Sequence, residues 1–258
     1  EISSLLLHRK LTEYREYLLT FSQPNANLQE HYILLAHFIN KFPIKTLILP
    51  IVFDDMREDS IRYGVEIALD YSKTIKTASI TSTGRNLKSI LSKKNLINNQ
   101  IEIEEKSLQD NWENYLNNKL NNIWWLWSQR KDLRSKLFNS MYKLRNSIFG
   151  IDASTTRKMI KGSYKKNIKA YEDILHLAKI NELDILVYIP PIRNDVKIPY
   201  DINEYESFKK EVKNIADKNN VNFISFENIV KPEFWGYNNS TNLTEKLQFD
   251  FMHFKGEG

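Results

Sequence analysis

The sequence predicts an α/β fold: a three-layer α/β sandwich with a mostly parallel central sheet and one helical insertion. Three observations predict it. Three short apolar runs, Thr46–Phe53, Ile185–Ile189 and Val221–Phe226, lack the alternation of a one-sided sheet. Strands covered on both faces read that way. Amphipathic helical segments precede the last two runs, and strands separated by such helices form parallel β-α-β units. From Trp112 to Ile148, apolar residues mostly keep helical spacing and no strand-like run interrupts them.

The elements follow in order. Leu5 to Leu19 carries apolar residues at helical spacing, with Ser3 and Ser4 as helix-start residues. A loop, Ser22-Gln23-Pro24-Asn25-Ala26-Asn27, separates it from a second helix marked by Leu28, Tyr32, Leu35, Phe38 and Ile39. The first strand, Thr46–Phe53, runs into a charged loop that holds Asp54, Asp55, Arg57, Glu58 and Asp59. In the middle, Leu116, Leu120, Ile123, Trp127, Leu137, Met141, Leu144 and Ile148 mark the insertion. A helix over Tyr164–Asn181 precedes the second strand, which Pro190-Pro191 ends. A helix over Asn203–Lys218 precedes the third. The reading is therefore a single α/β domain over 1–258, trimmed at both ends, with a basic helical insertion at 104–163.

Composition narrows the function. The chain of 258 residues is 41% hydrophobic and 27% charged, which suits a folded domain and excludes wholesale disorder. No apolar run approaches the ~18 residues of a membrane span. Seven glycines are about 3% of the chain, against a usual ~7%, and no G-x-G-x-x-G or phosphate-loop string occurs. The absence of cysteine excludes disulfides, thiolate metal sites and cysteine nucleophiles.

The charge is local. Between Ser128 and Lys169 stand twelve Lys or Arg and two Asp, net +10, while the whole chain is net +5. The remainder is therefore net −5. Such a density points to an anionic partner more than to folding. Trp124, Trp125 and Trp127 lie beside it, and three near-adjacent tryptophans cannot all face one core. The open readings are core packing, contact with an anionic membrane surface through 112–162, and nucleic acid, which is not expected.

General base chemistry at neutral pH usually draws on histidine. Two of the five histidines follow an aspartate by three residues. Asp173 and His176 fall in a helical stretch and read as a pair on one helix face. Asp250 and His253 follow a polar loop, Trp235–Asn242, after the last strand. Active sites of α/β folds form near that place. A loop aspartate there can hold Nδ1 and leave Nε2 free as a base.

Asp250-x-x-His253-Phe254-x-x-x-Gly258 resembles the C-terminal block of the SGNH/GDSL hydrolases. It is closest in flavour to the envelope acyl-transfer members, such as the D-alanyl transfer protein of teichoic acid modification and the alginate acetylation proteins. Pro24-Asn25-Ala26-Asn27-Leu28 resembles the second block of the family, and Val52-Phe53-Asp54-Asp55 the third. The departures are that Asn25 stands where a glycine is usual, Asp54 where asparagine is usual, and no G-D-S or G-N-S string occurs. An ionised Asp54 in an oxyanion hole would oppose the developing charge. So Asp54 points elsewhere, or the N–H groups of Asn25 and the serine do that work, or the site is not catalytic. Asp54, Asp55 and Arg57 can equally belong to a charged loop capping the next helix.

The resemblance implies a serine esterase or O-acyltransferase acting on an acylated glycan or lipid-linked substrate in the extracytoplasmic cell envelope. His253 would be the base, Asp250 its partner, and Asn25, Asp54, Asp55 and Arg57 the surroundings of the oxyanion and substrate. The nucleophilic serine, and a membrane anchor, are expected upstream of residue 1. No cofactor and no metal are implied. The alternative is a non-catalytic module of the same shape that partners a membrane acyltransferase. The residues themselves leave a cytoplasmic location open.

Overall fold

The computed structural model describes residues 4–14, 17–21, 26–89, 130–244 and 246–255. Asn25, Trp112, Trp124, Trp125 and Trp127 lie outside the described residues.

The described elements, in chain order, begin with α1 (Ser4–Glu13), α2 (Leu28–Phe38) and β1 (Thr46–Pro50). A 3-10 turn, Asp54–Arg57, leads to α3 (Tyr63–Glu66), a second 3-10 turn (Ile67–Asp70), α4 (Ser72–Ala78) and a helix α5 at 82–89. Then come α6 (Arg130–Ile148), α7 (Lys161–Ile180), β2 (Asp184–Ile189), α8 (Ile202–Lys218) and β3 (Asn222–Ser225). Two further strands, β4 (Trp235–Asn238) and β5 (Gln248–Phe254), close the described chain.

The fold is mixed α/β. The three expected strands form one sheet in the order β1-β2-β3, parallel throughout, with Thr46 opposite Asp184 and Leu186 opposite Asn222. β1 and β3 are shorter than the apolar runs that mark them, while β2 begins one residue before its run, at Asp184. Pro50 ends β1, although Ile51 still donates to Tyr188 O at 2.9 Å before the chain turns into the 3-10 segment. The first helix stops at Glu13, well before Leu19. β4 and β5 form a separate two-stranded antiparallel ribbon.

The helices enter the sheet through matching turns. α7 ends with Glu182 at φ 56°, and α8 with Asn220 at φ 55°. Leu183 N donates to Ala178 O and Val221 N to Ala216 O, both at 3.0 Å. A left-handed residue after the last turn satisfies the helix's free carbonyls and reverses the chain in two residues. β2 and β3 therefore start immediately, side by side and in the same direction.

The chain forms two compact units, one of 1–88, 153–238 and 249–258, the other of 89–152 and 239–248. Residues 153–163, assigned from the sequence to the insertion, belong to the first unit. Its core gathers Tyr32, Phe53, Tyr171, Val187 and Phe208, all fully buried. α2 packs against α7, where buried Asn167 accepts the Leu28 N–H at 3.1 Å and donates to Glu58 O at 2.7 Å. In the second unit α6 exposes Leu137, Phe138, Met141, Tyr142 and Ile148, while Asn146 is buried and donates to Thr241 O at 2.8 Å.

Among the described residues three of the twelve clustered cations are ion-paired within the first unit: Arg157 shares Asp54 with Arg57, Lys166 pairs with Asp59 and Lys169 with Asp173. For these three, folding itself supplies the anions that the sequence reading sought in a partner.

Candidate functional site

Asp250 and His253 sit on β5, not in a loop as the turn-rich sequence before them suggested. Phe249 and Phe251 give that stretch a strand-like alternation, and aromatic contacts of Trp235 with Phe254 and Tyr237 with Phe249 join it to β4.

Asp250 is buried, and its Oδ1 accepts the backbone N–H groups of Met252 at 3.0 Å and His253 at 2.9 Å. The same carboxylate holds the His253 ring, with Nδ1 3.2 Å from Oδ1 and 3.1 Å from Oδ2. Burial raises the Asp250 pKa, but the two N–H groups and the imidazole outweigh it and hold the carboxyl below the usual carboxylate range. An ionised Asp250 makes Nδ1 the protonated nitrogen. Nε2 then carries the lone pair, and among the described residues it has no hydrogen-bond partner. The His253 side chain is 62% exposed, so Nε2 is open to a reactant. A buried anion orients an accessible base.

The other D-x-x-H pair behaves differently. Asp173 and His176 are on α7 and are joined by no hydrogen bond or ion pair. Asp173 accepts the Thr83 N–H at 2.8 Å and the Ser82 hydroxyl at 3.1 Å, at the start of α5. Burial raises its pKa, and these bonds with Lys169 bring it below the usual range. It is an anion at a helix N-terminus.

The β4–β5 ribbon is fixed to the carboxyl edge of the parallel sheet by Arg193, which the sequence reading missed. Arg193 follows Pro190-Pro191 after β2 and is 4% exposed. Its backbone N–H donates to Phe251 O at 3.2 Å, its guanidinium donates to Gly236 O at 2.8 Å, and it lies over the Phe249 ring at 4.5 Å. Asp195 neutralises it through two hydrogen bonds of 2.8 and 3.0 Å. One buried cation thus grips both strands of the ribbon.

The loop after β1 meets the same edge. The Tyr200 hydroxyl donates to Asp54 Oδ2 at 3.0 Å and lies 3.9 Å from Met252 Sδ, next in sequence to His253. Met252, Phe53, Ile189, Pro190 and Tyr200 line a pocket of about 10 Å³. That is near the least space that holds one water.

Asp54 does not stand ready as part of an oxyanion hole. Its carboxylate accepts from Arg57 at 3.3 Å, from Arg157 and from Tyr200. Its oxygens thus face three side-chain donors instead of an open oxyanion position. Arg157 is placed by a short parallel bridge to Tyr200, and Arg57 donates Nε to Lys158 O at 2.9 Å. Neither Tyr200 nor Arg157 was singled out from the sequence as a site residue. Asp55 is half-buried, and burial, followed by the neighbouring Asp54, pushes its pKa up to about 7 against the opposing pull of Arg62.

Asn25 lies outside the described residues, but the residues after it are tightly built. Asn27 caps α2 in a reciprocal capping box with Glu30, and its Nδ2 donates to Ser60 O at 2.8 Å. Glu30, fully buried, accepts the Arg62 N–H at 2.7 Å and pairs with the Arg62 guanidinium. These contacts join the segment after Asn25 to the segment that continues from Asp54 and Asp55.

No described helix is long and apolar enough to cross a membrane. Among the described residues no three His, Cys, Asp or Glu side chains are grouped to hold a metal ion. No family model, curated protein or solved structure matches the chain.

Proposed function

We propose that this chain carries the base of a serine esterase or O-acyltransferase of the SGNH type, built on a three-layer α/β sandwich. One observation carries the reading. Buried Asp250 holds Nδ1 of exposed His253, and Nε2 is left open beside the carboxyl edge of a parallel sheet. In this reading the nucleophile is a serine on a strand preceding residue 1, as the resemblance implies. Its hydroxyl adds to the acyl carbonyl while its proton passes to Nε2. The imidazolium, stabilised by Asp250, returns that proton to the departing alkoxide as the ester C–O bond breaks. Water or a sugar hydroxyl then attacks the acyl-serine, again giving its proton to Nε2. With Asp54 committed to its cations, the oxyanion is left to backbone N–H groups, those of Asn25 and the serine. The substrate is an acylated glycan or lipid-linked ester of the cell envelope.

The test is hydrolysis of an aryl ester by the full-length protein. His253→Ala is expected to lower kcat by at least about a thousandfold with melting unchanged. Activity equal to wild type would exclude His253 as the base.

A second reading, a non-catalytic module that partners a membrane acyltransferase, draws on α6. That helix exposes a stripe of Leu133, Leu137, Met141, Leu144 and Ile148 among Arg134, Lys136, Lys143 and Arg145. A full-length protein that lacks esterase and transferase activity but binds membranes would favour it.

A further inference from the structure

We infer that Arg57 and Arg157 form a subsite for an oxyanion, phosphate or carboxylate, carried by the substrate, and that Asp54 occupies this subsite when no ligand is bound. As a statement about substrate it rests on the esterase reading; as a statement about anion binding it does not.

The geometry has three parts. Two guanidinium groups converge on one carboxylate, Arg57 on Oδ1 and Arg157 on Oδ2. The trio therefore keeps one positive charge unbalanced. Each guanidinium has five N–H donors. Among the described residues Arg157 uses one, to Asp54, and Arg57 uses two, to Asp54 and Lys158 O. The uncommitted donors match the planar or tetrahedral oxygens of an anion.

The second part is exposure. The Arg57 and Arg157 side chains are 27% and 32% exposed. They are open enough to take a ligand and sheltered enough that salt screens the contact only in part. The Arg157 backbone is held, its N–H donating to Pro199 O at 2.9 Å and its carbonyl accepting from Asp201 N at 3.3 Å. The third part is place. Tyr200 links Asp54 to Met252, one residue from His253. An ester reacting at His253 could set an anionic group on the arginines. Burial and the neighbouring Asp54 raise the Asp55 pKa, which lessens its negative charge beside the arginines.

The test is titration of the protein with inorganic phosphate and, separately, with acetate, following binding by calorimetry and the Arg Nε–Hε signals by NMR. Asp54→Asn removes the internal competitor and is expected to tighten phosphate binding about tenfold, the scale of one charge-assisted hydrogen bond. Arg157→Gln and Arg57→Gln are expected to weaken it by a similar factor. Should Asp54→Asn not fold, the wild-type NMR titration decides. Shifts of both the Arg57 and Arg157 signals support the subsite. Equal phosphate affinity in all variants, or unmoved signals at these two arginines, would overturn it. Stronger response to acetate than to phosphate would assign the subsite to a carboxylate. The readout involves no turnover, so its failure leaves the test of His253 standing.

Discussion

Arg193 donates its backbone N–H to the carbonyl of Phe251 at 3.2 Å, and this bond ties the strand that carries Asp250 and His253 to the loop after β2. The guanidinium of the same residue reaches Gly236 on β4. The position of the dyad therefore depends on a residue more than fifty positions earlier in the chain. Replacing Arg193 with methionine keeps much of the side-chain bulk but removes the charge-assisted bonds and leaves Asp195 unpaired. The expected loss is about 2–3 kcal/mol. Hydrogen exchange should rise at the amides of 249–254 and stay unchanged in β1 and β2. Unchanged exchange throughout would show that the backbone bond to Phe251 and the aromatic packing hold the ribbon without the guanidinium.

Asp250→Asn tests the orienting role rather than the fold. The amide oxygen can still accept from Met252 and His253 N–H, so the strand should survive. An amide cannot stabilise the imidazolium as a carboxylate does, and kcat in the full-length protein should fall by about a thousandfold or more. Wild-type stability should also carry the signature of a depressed carboxyl. Asp250 contributes above the usual carboxylate value of 3.8 and loses that contribution as pH falls through its lower folded value. Urea melts of the two proteins at pH 7 and pH 3 check this; the gap between them should narrow at the lower pH.

Asp55 has the opposite sign. Its folded pKa lies near 7, above the ordinary 3.8, because burial disfavours the charged form. Between those values the folded protein binds more protons than the unfolded one. Stability therefore declines as pH rises from about 4 to about 7 and stays lowered above. Asp55→Asn removes the titration and should stabilise the protein at pH 8 relative to pH 5, compared with wild type. Parallel pH profiles for the two proteins would mean that Asp55 ionises freely.

Much of the sheet was legible in the sequence because its strands are continuous apolar runs and its helices keep their period. The antiparallel ribbon was not. Trp235-Gly236-Tyr237-Asn238 is followed by a run of Asn, Ser and Thr, so its turn chemistry masks a four-residue strand. The D-x-x-H spacing found both Asp250 and Asp173, and only the backbone separates them. On β5 the carboxylate turns back onto its own histidine, whereas on α7 it is drawn to the start of α5. Arg157 and Tyr200 were invisible as site residues because they meet Asp54 across 103 and 146 positions of chain. No local pattern encodes such a pairing.

Glu30 is a structural carboxylate, and its loss should look unlike the loss of His253. It is fully buried, closes the capping box of α2 and pairs with Arg62. Removing one partner of a buried pair typically costs about 3–5 kcal/mol. Glu30→Ala should lower the melting temperature sharply and reduce activity only through the folded fraction. A variant that melts as wild type would show that Arg62 is readily resolvated.

The last prediction concerns α6. Large apolar side chains exposed on a helix need a partner or a reason. Leu133, Leu137, Met141, Leu144 and Ile148 recur at spacings of three and four, so they line one face. Arg134 and Arg145 fall on the same side of the helix as Phe138, and Arg145 lies over Tyr142 at 4.7 Å. Guanidinium groups beside an apolar stripe suit a surface that is anionic outside and apolar just beneath, as a lipid leaflet is. Each such cation near anionic headgroups contributes about 1 kcal/mol, and salt weakens it. Co-sedimentation with vesicles should therefore favour anionic over neutral lipid at low salt and lose most of that preference at high salt. Leu137→Asp with Met141→Asp should abolish binding at either salt, because it removes the apolar contribution that salt leaves intact. Arg134→Gln with Arg145→Gln should remove only the lipid-charge preference. If neither pair changes sedimentation, α6 does not meet the membrane, and its apolar face belongs to a protein contact.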